Sequence, residues 1–124
     1  MGSFLKTALP VLLGLAIASP AMADAAAGSK VFKSNCGVCH STTGAPGVGP
    51  SLAGVVGRKA GSLANFKSQY SPAMKASGLT WSAEELEKYI TNPAKVVPGN
   101  RMPFAGLHDA AQVDSLVAYL KTLK

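Results

Sequence analysis

The sequence predicts an all-α fold: one small domain of three to five helices joined by long Gly/Pro loops. Three observations carry this expectation. Apolar residues recur at helical spacing behind recognisable caps, most clearly at Val113, Leu116, Val117, Leu120 and Leu123 after Asp109. No run alternates apolar and polar residues over the length of a strand, and no internal repeat is present. A stretch from Ser41 to Gly61 holds Gly44, Pro46, Gly47, Gly49, Pro50, Gly54, Gly57 and Gly61, a composition that no regular element tolerates.

The elements follow in chain order. Residues 1–23 read as a removable export leader, with Lys6 as its positive start and Ala8–Ala18 as its apolar run. Ala21-Met22-Ala23 is an A-x-A cleavage site that leaves Asp24 as the mature N-terminus. A membrane span needs ~20 apolar residues. This run is shorter and carries Pro10 and Gly14. Residues 24–124 then form the domain. Asp24–Asn35 reads as a first helix, in which Gly28 costs about 1 kcal/mol against Ala and implies that another helix crosses closely there. The 41–61 loop is long enough to require a function, and wrapping a flat cofactor supplies one. Ser71–Ala76 makes a short helix ended by Gly78. Ser82 and Glu85 form a capping box for a helix through Leu86, Tyr89 and Ile90, which Asn92-Pro93 stops. Val96–Gly106 is loop, and Asp109, with Gln112 three residues on, opens the last helix. Tyr119 lies on the flank of that helix, facing the first.

The segment that names a cofactor is Cys36-Gly37-Val38-Cys39-His40, the attachment signature of a c-type haem. Residues three apart share one side of a helical turn, so both sulfurs can add to two vinyl groups on one porphyrin edge. The following imidazole then comes beneath the iron as the fifth ligand. Other readings fit less well. A structural zinc site is closed by four Cys or His ligands, whereas this chain has two of each, with His40 against Cys39 and His108 far along. A thioredoxin-like pair belongs in a strand–helix–strand setting, which is missing around Cys36. A disulfide between Cys36 and Cys39 would close a loop too small to restrain much.

The sixth iron position decides between an open, reactive haem and a closed one. Met1 and Met22 leave with the leader, so Met74, Met102 and His108 remain. Met74 falls in the short 71–77 helix, where it reads as packing or a flank of the cofactor. Met102 stands in Pro98-Gly99-Asn100-Arg101-Met102-Pro103-Phe104, a proline-braced loop able to present a thioether rigidly. It reads alternatively as a core gap-filler, and His108 alternatively as a surface residue before the Asp109 cap.

Several segments in this order resemble the class I c-type cytochromes, most closely the bacterial cytochrome c2 and mitochondrial cytochrome c branch. They are Cys36–His40, Gly49-Pro50-Ser51-Leu52, Gly54–Gly61 with Arg58, Leu79-Thr80-Trp81, Tyr89–Pro93 and Pro98–Gly106. The resemblance implies a class I cytochrome c fold around one covalent haem c, with the first and last helices crossing near Gly28, Phe32, Leu116 and Tyr119. It also implies roles: Cys36 and Cys39 as thioether residues, His40 and Met102 as axial ligands, and the Pro50 carbonyl as partner of the His40 ring. Arg58, Tyr70, Trp81 and Asn100 would approach the haem propionates, Tyr89 the Met102 sulfur, and Phe104 the exposed haem face. Met74 stands where many relatives carry a polar residue. Rim positions at which relatives carry lysine are Asn35, Ala94 and Asp109 here.

The function this implies is a soluble, monomeric one-electron carrier of the periplasm, working between redox complexes of a respiratory or photosynthetic chain. It would dock through a basic surface near the haem edge, with Lys30, Lys59, Lys95 and Arg101 as candidates. Without Lys6 the chain keeps eleven basic and six acidic residues, a net charge of +5, which favours encounter with acidic proteins. The basic residues are scattered rather than clustered, which argues against nucleic acid as the partner, and no stable membrane insertion is expected. The alternative class is an enzyme, either a haem peroxidase-like protein or a thiol-disulfide oxidoreductase.

Overall fold

The computed structural model describes residues 2, 3, 5, 7–15 and 19–124. Among the described residues five α-helices follow one another: α1 (Pro20–Asn35), α2 (Pro72–Ala76), α3 (Ala83–Thr91), α4 (Pro93–Val96) and α5 (Ala110–Leu120), with a 3-10 turn at Ala64–Phe66 between α1 and α2. Among the described residues the only strand-like pairing is an isolated antiparallel bridge between Lys59 and Thr80. The leader's Lys6 and Ala16–Ala18 lie outside the described residues; 7–15 form no regular element, and no described helix is long and apolar enough to cross a membrane.

The N-caps expected from the sequence are formed, but the capping box at α3 is only half made, because the Ser82 backbone N–H donates to the Thr80 carbonyl at 2.8 Å rather than to Glu85. Ser82 accepts from the Glu85 N–H at 3.1 Å to start α3, and Asp109 accepts from the Gln112 N–H at 3.0 Å to start α5. Each satisfies one of the donors that a helix start leaves free. Ser71 does the same for α2 through the Met74 N–H, with Pro72 at the first helical position.

Three boundaries differ from the expectation. The first helix begins at Pro20 rather than Asp24, because Ser19 is extended and Pro20 is preset for a first turn, so Ala21–Ala23 are helical. Asn92-Pro93 ends α3 but also starts α4: Asn92 accepts from the Lys95 N–H at 3.3 Å, and Val96 closes a helix rather than opening a loop. The last helix stops at Leu120, and Leu123 packs on the core from beyond it.

The core sits between α1, α3 and α5. Gly28 is buried where α1 crosses α5: a Cβ there would overlap the Ser115 carbonyl oxygen and stand 2.8 Å from Tyr119 Cβ. The bare backbone thus lets the helices approach, and the Phe32 and Tyr119 rings pack just beyond, with centroids 5.5 Å apart and planes tilted by 54°. Val113, Leu116, Val117 and Leu120 give α5 its buried stripe, against Phe32 from α1 and Leu86 and Ile90 from α3. The two long loops, 36–63 and 97–109, close over the remaining side of this core and leave a cavity between them.

Candidate haem site

The attachment motif continues α1 by one turn. Cys36 caps the helix and donates to the Phe32 carbonyl at 2.7 Å; its own carbonyl accepts from the Cys39 N–H at 3.1 Å and the His40 N–H at 2.9 Å. Both sulfur-bearing residues and the imidazole thereby reach the same cavity wall. The cysteines are free and half-buried. Burial, and secondarily the neighbouring Cys39, push the Cys36 thiol up to about 11. A redox-exchange nucleophile needs the opposite shift, so Cys36 lends the thiol-disulfide oxidoreductase alternative no support.

His40 is held by its far nitrogen. Nδ1–H donates to the Pro50 carbonyl at 2.7 Å, which leaves Nε2 as the free lone pair and fixes the ring plane, as at metal-ligating histidines. Burial lowers the imidazole pKa, opposed by the Pro50 bond; the neutral form is the one that can bind iron. Gly49 is required beside it. A Cβ at this buried position would stand 2.5 Å from Cε1 and 2.7 Å from Nδ1 of His40. Gly49→Ala is therefore expected to swing the ring off Pro50 and cost about 2 kcal/mol. Urea unfolding and the His40 ring resonances would report both effects, and an unchanged His40–Pro50 bond in the variant would contradict them.

The 41–61 loop is organised by two side chains. Ser51, 1 % exposed, accepts through Oγ from the Gly44 N–H at 2.9 Å and the Ala53 N–H at 3.1 Å. Arg58 donates to the Ser51 carbonyl at 2.8 Å and also to the Ala53 carbonyl. Burial lowers the Arg58 pKa and the neighbouring Tyr70 partly offsets this. Tyr70 is buried edge-on against Phe66, with centroids 5.0 Å apart. Trp81 bridges the loop to the core: its backbone N–H donates to the Arg58 carbonyl, its carbonyl accepts from the Gly57 N–H, both at 2.8 Å, and its ring centroid lies 4.9 Å from that of Tyr89. Burial drives the Tyr89 phenol up to about 12, so it is a neutral group here.

The facing wall is the 97–106 loop. Asn100 acts as its brace: Oδ1 accepts from the Met102 N–H at 2.9 Å and Nδ2 donates to the Val97 carbonyl at 3.0 Å. The Phe104 N–H donates to the Met102 carbonyl at 2.8 Å. Every site residue expected from the sequence lines the cavity: Cys36, Cys39, His40, Pro50, Arg58, Tyr70, Trp81, Tyr89, Asn100, Met102 and Phe104. Of the three candidates for a sixth iron ligand, Met74 and Met102 line it and His108 does not. Sequence reasoning passed over Ser51 and Gln69. Ser51 shows itself only through its buried backbone partners, and Gln69 lies beside Tyr70 at the cavity rim with no motif to mark it.

The residues fit a haem. Two thiols and an imidazole share one wall, a thioether faces from a braced loop, and Leu52, Val55, Leu86, Ile90, Leu116 and Leu120 give an apolar interior. Polar side chains, among them Arg58, Gln69, Tyr70 and Asn100, also line it. The described residues contain no cluster of three or more His, Cys, Asp or Glu that would hold a bare metal ion instead.

Comparison with known proteins agrees. The family described as Cytochrome c matches residues 25–124. The chain is 55 % identical over 89 residues to cytochrome c2 iso-2 of Magnetospirillum fulvum, which covers 71 % of this chain and 91 % of that protein. It is 50 % identical over 103 residues to cytochrome c2 iso-2 of Magnetospirillum molischianum, covering 82 % and 100 %. The solved structure of cytochrome cH from Methylobacterium extorquens superposes with a TM-score of 0.72 at 46 % identity, over 80 % of this chain and 98 % of that one. A capped all-α fold, a C-x-x-C-H turn on the cavity wall and these likenesses together place the chain in the cytochrome c family, as a class I c-type cytochrome close to cytochrome c2 that carries electrons on one covalently attached haem c.

Proposed function

We propose that the protein is an exported one-electron shuttle whose haem iron is closed on both faces, by His40 on one side and Met102 on the other. The observation that carries this reading is the paired bracing. His40 Nδ1 is held at 2.7 Å by Pro50, and the Met102 backbone at 2.9 Å by Asn100, with both side chains on the lining of one cavity. Rigid ligands on both sides keep geometry constant between oxidation states, which is what a carrier needs and what a catalyst that must admit substrate cannot use.

When bound, haem supplies a reversible Fe(III)/Fe(II) couple, and methionine ligation in a low-dielectric pocket favours its reduced state. The chain's own contributions are positional. Cys36 and Cys39 provide two thioether anchors. Arg58, Tyr70, Trp81 and Asn100 offer the polar atoms for the propionates, Tyr89 lies in the pocket as a neutral phenol, and Phe104 screens the mouth from water. Residues 1–23 act as a leader removed after Ala23, and the mature domain works in the periplasm as a monomer. Its partners are redox complexes of a respiratory or photosynthetic chain, approached under the pull of Lys30, Lys59, Lys95 and Arg101.

The test is the mature protein itself. Its mass after denaturation is expected to equal residues 24–124 plus one haem, and potentiometric titration is expected to give one reversible one-electron step. Loss of haem on denaturation would refute covalent attachment, and turnover of peroxide at enzymatic rates would refute the carrier assignment.

A further inference from the structure

Two thioethers line the cavity, and the carrier reading uses only Met102. The other, Met74, is held in place by its own set of bonds. Its N–H donates to Ser71 Oγ at 3.0 Å, and its carbonyl accepts from the Ser77 hydroxyl at 2.9 Å and the Ser77 N–H at 3.3 Å. The side chain packs on the core cluster yet stays half-buried, within reach of a small solute. Its helix has few other supports. Five residues do not sustain an isolated helix, and among the described residues α2 packs on no other helix. Instead it is wedged between the two long loops. A Cβ added at Gly61 would stand 3.0 Å from Lys75 Cα and 3.2 Å from the Met74 carbonyl oxygen, and one added at Gly99 would stand 3.3 Å from Ala73 Cβ. Gly99 directly precedes Asn100, whose Oδ1 holds the Met102 N–H. A short path therefore runs from Met74 through Ala73 and Gly99 to the brace of Met102.

From this we infer that Met74 is a modification site for hydrogen peroxide, and that its sulfoxide loosens the Met102 loop and opens the sixth iron position. The inference rests on the His40 and Met102 ligation proposed above. Under that reading the Met102 sulfur has its lone pair engaged, whereas that of Met74 is free to react. The Met74 sulfur attacks one peroxide oxygen, and the S–O bond forms as the O–O bond breaks. The leaving hydroxide takes the proton of the transferred oxygen and departs as water, so sulfur is oxidised by two electrons and peroxide is reduced by two. The product is polar and chiral where the thioether was apolar. Against the core its oxygen would be buried without a donor, which is costly, so the side chain turns out to water. Thereby α2 loses its hold on the core, Ala73 shifts from Gly99, and Asn100 no longer fixes Met102.

The experiment exposes the holoprotein to hydrogen peroxide at a dose that oxidises free methionine, stops it with catalase, and then reads two quantities. Peptide masses locate the added oxygen, since tryptic cleavage after Lys67, Lys75 and Arg101 puts Met74 and Met102 on separate peptides. Carbon monoxide uptake after reduction by dithionite reports the sixth position. Oxygen is expected on Met74 about tenfold faster than on Met102, with carbon monoxide uptake rising in step. Methionine sulfoxide reductase should then restore the closed state, which damage to the haem would not allow. Met74→Leu keeps the volume and loses the sulfur, so it should stay closed after the same dose. Uptake of carbon monoxide by the untreated parent would defeat the ligation reading itself. With the untreated parent closed, any of four results would overturn the site: no oxygen on Met74, oxygen on Met102 first, a Met74 sulfoxide protein that still excludes carbon monoxide, or an opening that the reductase does not reverse. The parent protein alone decides all four, whether or not Met74→Leu folds.

Discussion

Met102→Ala is expected to remove the weak methionine-to-iron band of the oxidised protein, open the sixth position and lower the reduction potential. Axial ligands set haem potentials over a range of ~0.8 V, so exchanging a thioether for water should move the value by on the order of a tenth of that range. Packing suffers as well, because Met102 lies against the core cluster, and truncating a partly buried methionine costs about 2 kcal/mol. The two effects separate experimentally. Met102→Leu keeps the volume and loses the sulfur, so it should retain most of the stability while losing the band. Survival of the band in either variant would transfer ligation to Met74, the other thioether on the cavity lining.

Gly28→Leu carries the largest expected loss of stability. The new Cβ would overlap the Ser115 carbonyl and crowd Tyr119, and backbone on α5 cannot yield without separating the two helices. Gly28→Ala gains about 1 kcal/mol in helix propensity, yet the overlap should outweigh it, for a net loss of about 2 kcal/mol. The larger leucine also displaces the tilted Phe32–Tyr119 ring pair. It should cost several kcal/mol, a large share of the ~5–15 kcal/mol that stabilises a typical domain. Urea unfolding of the holoprotein followed by Trp81 fluorescence measures this. A Gly28→Leu protein with parental stability would show that α1 and α5 do not meet as described.

Legibility from sequence followed the range of the interactions concerned. The attachment turn is local: Cys36, Cys39 and His40 are joined by bonds to one carbonyl, so their spacing alone announced the geometry. The caps at Ser82 and Asp109 were legible for the same reason. The start of α4 was missed because Asn92-Pro93 is both a stop for α3 and a start signal, and only the Asn92 bond to Lys95 decides between them. The beginning of α1 was set four residues late because the A-x-A pattern marked a processing point, whereas Ser19-Pro20 is the physical helix start. The roles of Ser51 and Arg58 were harder. Arg58 is directed inward by the carbonyls of Ser51 and Ala53, acceptors that every residue possesses and that no composition reveals. Gly49 likewise gave no sign that an imidazole occupies the place of its missing Cβ. The resemblance to class I cytochromes supplied the Pro50 contact, which the structure shows at 2.7 Å.

Carbon monoxide added to the dithionite-reduced protein most directly tests whether the iron is closed on both faces. If His40 and Met102 both bind, the spectrum should be unchanged on mixing, while reduced Met102→Ala should take up one equivalent rapidly. Rapid stoichiometric binding by the parent protein would show an open sixth position and contradict the account.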